Sequence, residues 1–254
     1  MQENQTKNKL KAGETVFGCF VRYTDASLVE FLTWMGFDFL VFDAEHGAID
    51  SHHCQEMVRA AELRGVTPII RATTNQRHII LRYLDTGAQG VHVPMIDSAQ
   101  DAEAAVRAIK YQPRGERGLA FARAADFGQG LPIDQYAKFA NEQTLCVAQI
   151  ETVAAVDALP EIVKVDGVDV IFVGPTDLSN SLGVPGQMQH PKMLKTLDRI
   201  VRIVAGSDKA LATMVANAEA ARQWVQRGAQ YITVGCESML KQGCAAYLES
   251  ARGA

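Results

Sequence analysis

Eight short apolar runs recur along the chain, and each is followed by a stretch of helical character. The runs are VFGCFV (16–21), FLVFD (39–43), TPIIRA (67–72), GVHVP (90–94), LCVAQIE (145–151), VDVIFVG (168–174), ALATMV (210–215) and YITVG (231–235). Most lack polar–apolar alternation, the pattern expected of strands covered on both faces. Between them, Cys54, Met57, Val58 and Ala61 fall at i, i+3, i+4 and i+7, as do Ala102, Ala105, Val106 and Ile109. That spacing gathers four apolar side chains on one helix face. Asp50 and Ser98 stand where a first helical turn needs a side-chain acceptor, and both are expected N-caps. Eight strand–helix units in 254 residues predict an α/β fold, a (β/α)8 barrel.

A doubly wound open sheet is the main competitor. It usually has fewer strands and often carries a Gly-rich phosphate loop after the first. Here CFVRYTDAS follows the first strand, with neither GxGxxG nor a Walker pattern. No linker or short repeat interrupts the rhythm, so residues 1–254 are expected to form one domain. Residues 1–13 make a polar N-terminal extension and 237–254 a C-terminal helix. The segment 111–132, rich in Gly and Arg, is too long for an ordinary connection and is expected to be functional or interfacial. Barrel logic assigns it to the face opposite the active site, unless it folds back or serves a neighbouring subunit.

Charge and cysteines narrow the function. The net charge of −4 argues weakly against a nucleic-acid or anionic membrane partner. No apolar run approaches the roughly 18 residues of a membrane span. The start MQENQTKNKLKAGE lacks the apolar core of a secretory signal, so the expected compartment is the cytoplasm. The five cysteines are odd in number and show no CxxC spacing. They are expected to be small buried thiols rather than disulfides or zinc ligands.

In such a barrel the chemistry sits at the C-terminal ends of the strands. The second strand ends in Asp43, with Glu45 and His46 on the loop after it. The third ends in Arg71. The fifth delivers Gln149 and Glu151, two apart and so on one strand face. The sixth runs into GPTDLS, placing Asp177 just past Gly174 and Pro175. Glu151 and Asp177 come from adjacent strands and suit one hard divalent cation, Mg²⁺ or Mn²⁺, with positions left for a substrate's oxygens. A metal so placed polarises a carbonyl and stabilises an enolate. Arg71 suits a carboxylate or a developing oxyanion. His46 is the natural general base, because histidine ordinarily titrates near neutral pH. Gln149 is a donor toward a substrate oxygen.

Taken singly, each group has a plainer explanation. Glu151 or Asp177 alone would cap a helix or pair with a base. Arg71 alone would pair with a carboxylate, and His46 alone would be structural. Their convergence on one rim is what weakens those explanations. Glu45 is expected in solvent or in a structural pair, His52 and His53 on the surface, and His92 as a hydrogen-bonded core histidine. No GxSxG occurs, no strand end offers a lysine for a Schiff base, and no cysteine lies near a base. A metal is therefore favoured over a covalent intermediate.

FDAEHG (42–47), PIIRATT (68–74), LDTGAQGVHVPMI (84–96), PRGERG (113–118), QIET (149–152) and GVDVIFVGPTDLSNSLG (167–183) occur in that order. Together they resemble the HpcH/HpaI family of class II aldolases, over roughly residues 14–240. The resemblance implies cleavage of a 4-hydroxy-2-oxo acid to pyruvate and an aldehyde, reversibly, through a metal-stabilised enolate. It implies a divalent cofactor (Mg²⁺, Mn²⁺ or Co²⁺), a place in aromatic- or sugar-acid breakdown, and hexamers with exchanged C-terminal helices. Glu151 and Asp177 match the family's metal carboxylates and His46 its base. Arg71 matches the arginine that stabilises the enolate, and Gln149 a substrate contact. Gly174, Pro175, Thr176 and Asp177 match the segment that meets the pyruvate carboxylate. Asp43 matches a carboxylate near the metal-bound water, and Asp85 a residue that raises the basicity of the histidine. Asp85 lies at a helix end, far from His46 in simple barrel topology, so a neighbouring subunit is the expected source. A citramalyl- or malyl-CoA lyase on the same barrel is the nearest alternative and would need a basic groove for the CoA phosphates. Oxaloacetate decarboxylation shares the same enolate. A non-catalytic ligand-binding barrel is the remote alternative.

Overall fold

The computed structural model describes residues 1–253. Eight parallel strands close into a barrel in sequence order. They are β1 (Val16–Val21), β2 (Phe39–Asp43), β3 (Thr67–Arg71), β4 (Gly90–Val93), β5 (Leu145–Ile150), β6 (Val170–Val173), β7 (Ala210–Val215) and β8 (Ala229–Gly235). The helices are α1 (Gln5–Lys11), α2 (Ala26–Thr33), α3 (Ser51–Glu62), α4 (Arg77–Leu84), α5 (Ala99–Ile109), α6 (Ile133–Gln143), α7 (Val153–Ile162), α8 (Pro175–Ser181), α9 (Pro191–Ala205), α10 (Ala218–Gln226) and α11 (Cys236–Arg252). Every predicted strand is present, with ends shifted by no more than two residues.

The strands are apolar on both faces because each face has its own core. Inward residues, among them Phe20, Phe39, Val41, Ile69, Val147 and Phe172, fill the barrel. Outward residues such as Leu40, Phe42, Ile70 and Ile171 pack against the helices. The helical stripes bury as their spacing requires: Met57, Val58, Ala105 and Ile109 are all in this outer core. Asp50 and Ser98 cap α3 and α5 through their side chains.

The N-terminal segment is more than a polar extension. Its polar side chains plug the floor of the barrel, bonding to backbone and side-chain groups at the strand starts. Asn4 donates to the Gln89 carbonyl at 3.0 Å, Thr6 shares a 2.8 Å hydrogen bond with Thr67, and Lys7 donates to the Thr144 carbonyl at 3.0 Å while pairing with Asp169. A composition-based reading takes such residues for a solvated tail because their partners are carbonyls that sequence does not display.

The long 111–132 segment also lies away from the strand C-termini. Arg117 pairs with Asp85 at the end of α4 at 3.0 Å, Arg123 donates to the Thr86 carbonyl and pairs with Glu62, and Arg114 pairs with Asp166. Tyr111, Ala124 and Ala125 pack with Tyr136 and Ala140 of α6.

At the other end of the chain, α11 leaves the barrel. Of its residues only Cys236 is buried, and Leu240, Tyr247 and Leu248 are exposed. Where a wall helix would cover β8 and β1, an apolar groove of about 700 Å³ stays open, lined by Phe17, Phe37, Val215, Val225, Ile232 and Met239 among others. Residue 254, the last of the expected C-terminal helix, lies outside the described residues.

Candidate active site

Strand register sets the rim. Asp43 and Arg71 are paired neighbours on β2 and β3, and Arg71 is next to His92 on β4. Arg71 binds Asp43 with two prongs, Nε to Oδ1 at 2.8 Å and Nη2 to Oδ2 at 2.6 Å, and its Nη1 lies 3.2 Å from Glu45. The guanidinium also sits over the Phe20 ring. Asp43 Oδ1 accepts the backbone N–H groups of Glu45 and His46, so one carboxylate fixes both the arginine and the histidine loop. That loop turns so tightly that a Cβ at Gly47 would stand 2.4 Å from the Asp43 carbonyl. Burial works to raise the Asp43 pKa, but the hydrogen bonds and charge of Arg71 outweigh it and hold it below the usual carboxylate value.

Glu151 stands just past β5 and is 3% exposed. Its Oε1 accepts the Met95 N–H at 2.8 Å and its Oε2 accepts Gln149 Nε2 at 2.9 Å. Met95 adopts φ 53°, a left-handed conformation unusual for a non-glycine residue, and this turn aims its N–H at the carboxylate. Gly174 makes room from the other side: a Cβ there would meet Glu151 Oε2 at 2.7 Å. Burial above all, together with the charge of Asp177, raises the Glu151 pKa. Burial raises that of Glu45 as well, with the Glu151 charge adding to it and Arg71 opposing. Asp177 lies in the first turn of α8 without acting as its side-chain cap.

Glu45, His46, Met95, Glu151, Thr152, Asp177, Asn180 and Ser181 line one hollow of about 190 Å³. Three carboxylates at one small hollow, two of them raised in pKa despite the nearby Arg71, form an oxygen-rich site. Among the described residues no group of three or more His, Cys, Asp or Glu is placed to hold a metal ion between them. The donor set fits a hard cation held by few protein oxygens, as Mg²⁺ and Mn²⁺ sites often are.

The structure brings His46, Glu151 and Asp177 to this hollow, with Arg71 and Asp43 behind it. Thr176 is exposed on the rim, and Gly174 is the buried N-cap of α8, followed by Pro175 at its first position. Two expectations are placed differently. Gln149 does face the way Glu151 does, but it is 0% exposed, and its amide is engaged by Glu151 and His92. Asp43 is enclosed by Arg71 and the loop backbone. Asp85 is at the end of α4, beside Arg117. His92 is the hydrogen-bonded core histidine expected, and Glu45 is in an ion pair. Four cysteines are buried, while Cys244 is exposed. Sequence reading missed Met95, because any residue can offer a backbone N–H, and Asn180 and Ser181, which carry no charge to draw attention.

A parallel barrel with an acidic, arginine-backed rim defines a class of enzyme scaffold, and comparison with known proteins identifies the family. The HpcH/HpaI aldolase/citrate lyase family matches residues 16–242, and the chain belongs to it. The hydroxypyruvate/pyruvate aldolase of Roseobacter denitrificans is 36% identical over 92% of this chain and 91% of its own. The 4-hydroxy-2-oxo-heptane-1,7-dioate aldolase of Escherichia coli is 34% identical over 99% and 96%. A crystal structure of a family member from Burkholderia cenocepacia superposes with a TM-score of 0.93 at 31% identity, covering 98% of this chain and 99% of that one.

Proposed function

We propose that this chain is a divalent-metal-dependent aldolase that cleaves a 4-hydroxy-2-oxo acid to pyruvate and an aldehyde and also runs in reverse. The observation that carries the reading is the shared hollow of Glu151, Asp177 and His46 in front of a pinned Arg71. Glu151 and Asp177 would hold the cation, Mg²⁺ or Mn²⁺ with Co²⁺ a third candidate. When bound, it supplies Lewis-acid stabilisation of negative charge on the substrate oxygens.

The protein's own groups do the rest. His46 accepts the proton of the C4 hydroxyl. The C3–C4 bond then breaks, its electron pair stays with the three-carbon fragment as pyruvate enolate, and the aldehyde departs. Arg71 faces the developing charge with a guanidinium that Asp43 and Glu45 already hold in place, so little reorganisation is needed. Protonation at C3 gives pyruvate. The first-turn amides of Thr176 and Asp177 have no partner within α8 and suit the substrate carboxylate. Gln149 acts on Glu151 in the first place. Asp85 serves only if a neighbouring subunit presents it to His46.

The second subunit has structural support. An apolar groove without its helix and a helix without a groove, on one chain, fit exchange of α11 between copies in a homo-oligomer. A hexamer is the assembly we propose. The CoA-ester alternative is not favoured, since Arg114, Arg117 and Arg123 are tied to acids away from the rim. Oxaloacetate decarboxylation is compatible as a side activity.

The test is synthesis. Pyruvate with a panel of short and sugar-derived aldehydes, plus Mn²⁺, should yield 4-hydroxy-2-oxo acids by mass spectrometry. No product from any aldehyde, with folded protein and metal present, would contradict the assignment.

A further inference from the structure

One row of polar side chains crosses a barrel interior that is otherwise apolar apart from the Asp43–Arg71 pair and Thr233, and most of the row touches neither the hollow nor solvent. Tyr231 Oη on β8 lies 2.7 Å from His92 Nε2. His92 Nδ1 lies 3.3 Å from Gln149 Oε1, and Gln149 Nε2 donates to Glu151 Oε2. Tyr231, His92 and Gln149 are all fully buried. Phe20 and Phe172 meet the imidazole edge-on, and Phe39 stacks on Tyr231. Polar groups in such surroundings are costly unless each is paired.

Chemistry fixes the direction of every bond in the row. A carboxylate only accepts, so Gln149 turns its NH₂ to Glu151 and its carbonyl to His92. His92 must then carry its hydrogen on Nδ1. Burial, reinforced by the charge of Arg71, pushes the His92 pKa down to about 3, so the ring is neutral and Nε2 is an acceptor. The Tyr231 hydroxyl donates to it. A flipped amide would set a carbonyl against the carboxylate and an NH₂ against an N–H. The carboxylate thus sets the amide, the amide sets the tautomer, and the Tyr231 hydroxyl satisfies the remaining ring nitrogen, so that loss of any member leaves the next one without its partner.

We propose that Tyr231 and His92 are positioning residues that act through Gln149 to hold the Glu151 carboxylate ready for a divalent cation. The proposal rests on the assignment of Glu151 as a metal ligand. Outer partners of this kind are typically worth about 10–100-fold in metal affinity.

Mn²⁺ binding without substrate, followed by the electron paramagnetic resonance of free Mn²⁺, tests it. The variants are Glu151→Gln, Tyr231→Phe, Gln149→Ala, the double variant Tyr231→Phe/Gln149→Ala, and Val170→Ala. The last removes interior volume outside the row and controls for packing. Glu151→Gln should weaken binding most. Tyr231→Phe should weaken it about 10-fold, yet add nothing once Gln149 is Ala. Val170→Ala should lower the melting temperature and leave affinity unchanged. Histidine ¹⁵N spectra of the metal-free protein should show His92 fixed as the Nδ1–H form, and lose that fixed form in Gln149→Ala. Unchanged affinity in folded Tyr231→Phe, or an equal loss in the Gln149→Ala background, would overturn the proposal while leaving the ligand assignment standing. Wild-type affinity in Glu151→Gln would instead overturn the ligand assignment, and the proposal with it.

Discussion

Asp43 and Arg71 are register partners on adjacent strands, joined by two hydrogen bonds of 2.8 and 2.6 Å, and the same carboxylate accepts the N–H of His46. The proposed base, His46, and the arginine proposed to face the developing charge therefore share one anchor. Arg71→Ala should leave a buried, unpaired carboxylate and destabilise the fold by about 3–5 kcal/mol. Arg71→Lys keeps the charge, loses the two-pronged geometry and should lower kcat by about 100-fold with a smaller loss of stability. The Asp43 pKa is held below its unfolded value, so its contribution to stability is complete above the ordinary value near 4 and is lost as pH falls through the folded value. Melting curves of wild type and Asp43→Asn at pH 3 to 6 check this. The wild type should lose stability more steeply at the acid end.

Glu151 has the opposite sign. Its folded pKa is raised, so ionising it in the folded protein works against stability as pH rises through that value. A cation held by Glu151, as proposed, would relieve this and compete with the proton. Added Mn²⁺ should therefore raise the melting temperature more at pH 8 than at pH 5. Differential scanning calorimetry of wild type and Glu151→Ala checks it, and the variant should show almost no metal-dependent shift at either pH.

Lys110 crosses into the floor, where it donates to the Asn141 and Thr144 carbonyls at 2.7 and 2.6 Å. Burial first, then the charge of Lys7, pushes its pKa down to about 7. Two carbonyls need only the two N–H groups of a neutral amine. Between that value and its unfolded value near 10.4, the unfolded chain binds more protons than the folded one, so this residue makes stability rise with pH. Lys110→Met should flatten the rise in melting temperature from pH 7 to 10. Each kcal/mol is worth about 2–4 °C in a chain of this size.

Removal of residues 240–254 takes away most of α11 and leaves the apolar groove beside β8 bare. Light scattering after gel filtration should show the full chain as an oligomer and the truncated chain as a smaller species. A hydrophobic dye should bind the truncated form more strongly. An unchanged mass would contradict exchange of the helix.

The barrel was legible because β2, β3 and β5 bury both faces, and the period of α3 and α5 marks their inner sides without reference to any partner. The placement of the proposed site was legible where charge meets an apolar strand: Glu151, Asp177, Arg71 and His46 each lie at or just past the end of one, and the structure gathers them at one rim. Met95 was not, since its contribution is a backbone N–H aimed by a left-handed turn. Nor was the true neighbourhood of Gln149. Facing the same way as Glu151 placed it on the inner wall, but its depth depends on His92 and Tyr231, which come from β4 and β8. The role of α1 escaped for the same reason, because Asn4, Thr6 and Lys7 find their partners more than thirty residues away.

The most direct measurement of the central claim is deuterium exchange at the methyl group of pyruvate, followed by proton NMR with Mg²⁺ or Mn²⁺ and with EDTA as control. It asks only whether the protein makes the enolate, whatever the aldehyde. The account predicts metal-dependent loss of the methyl signal, abolished by EDTA and by Glu151→Ala. No exchange with either metal, in protein shown to be folded, would contradict it.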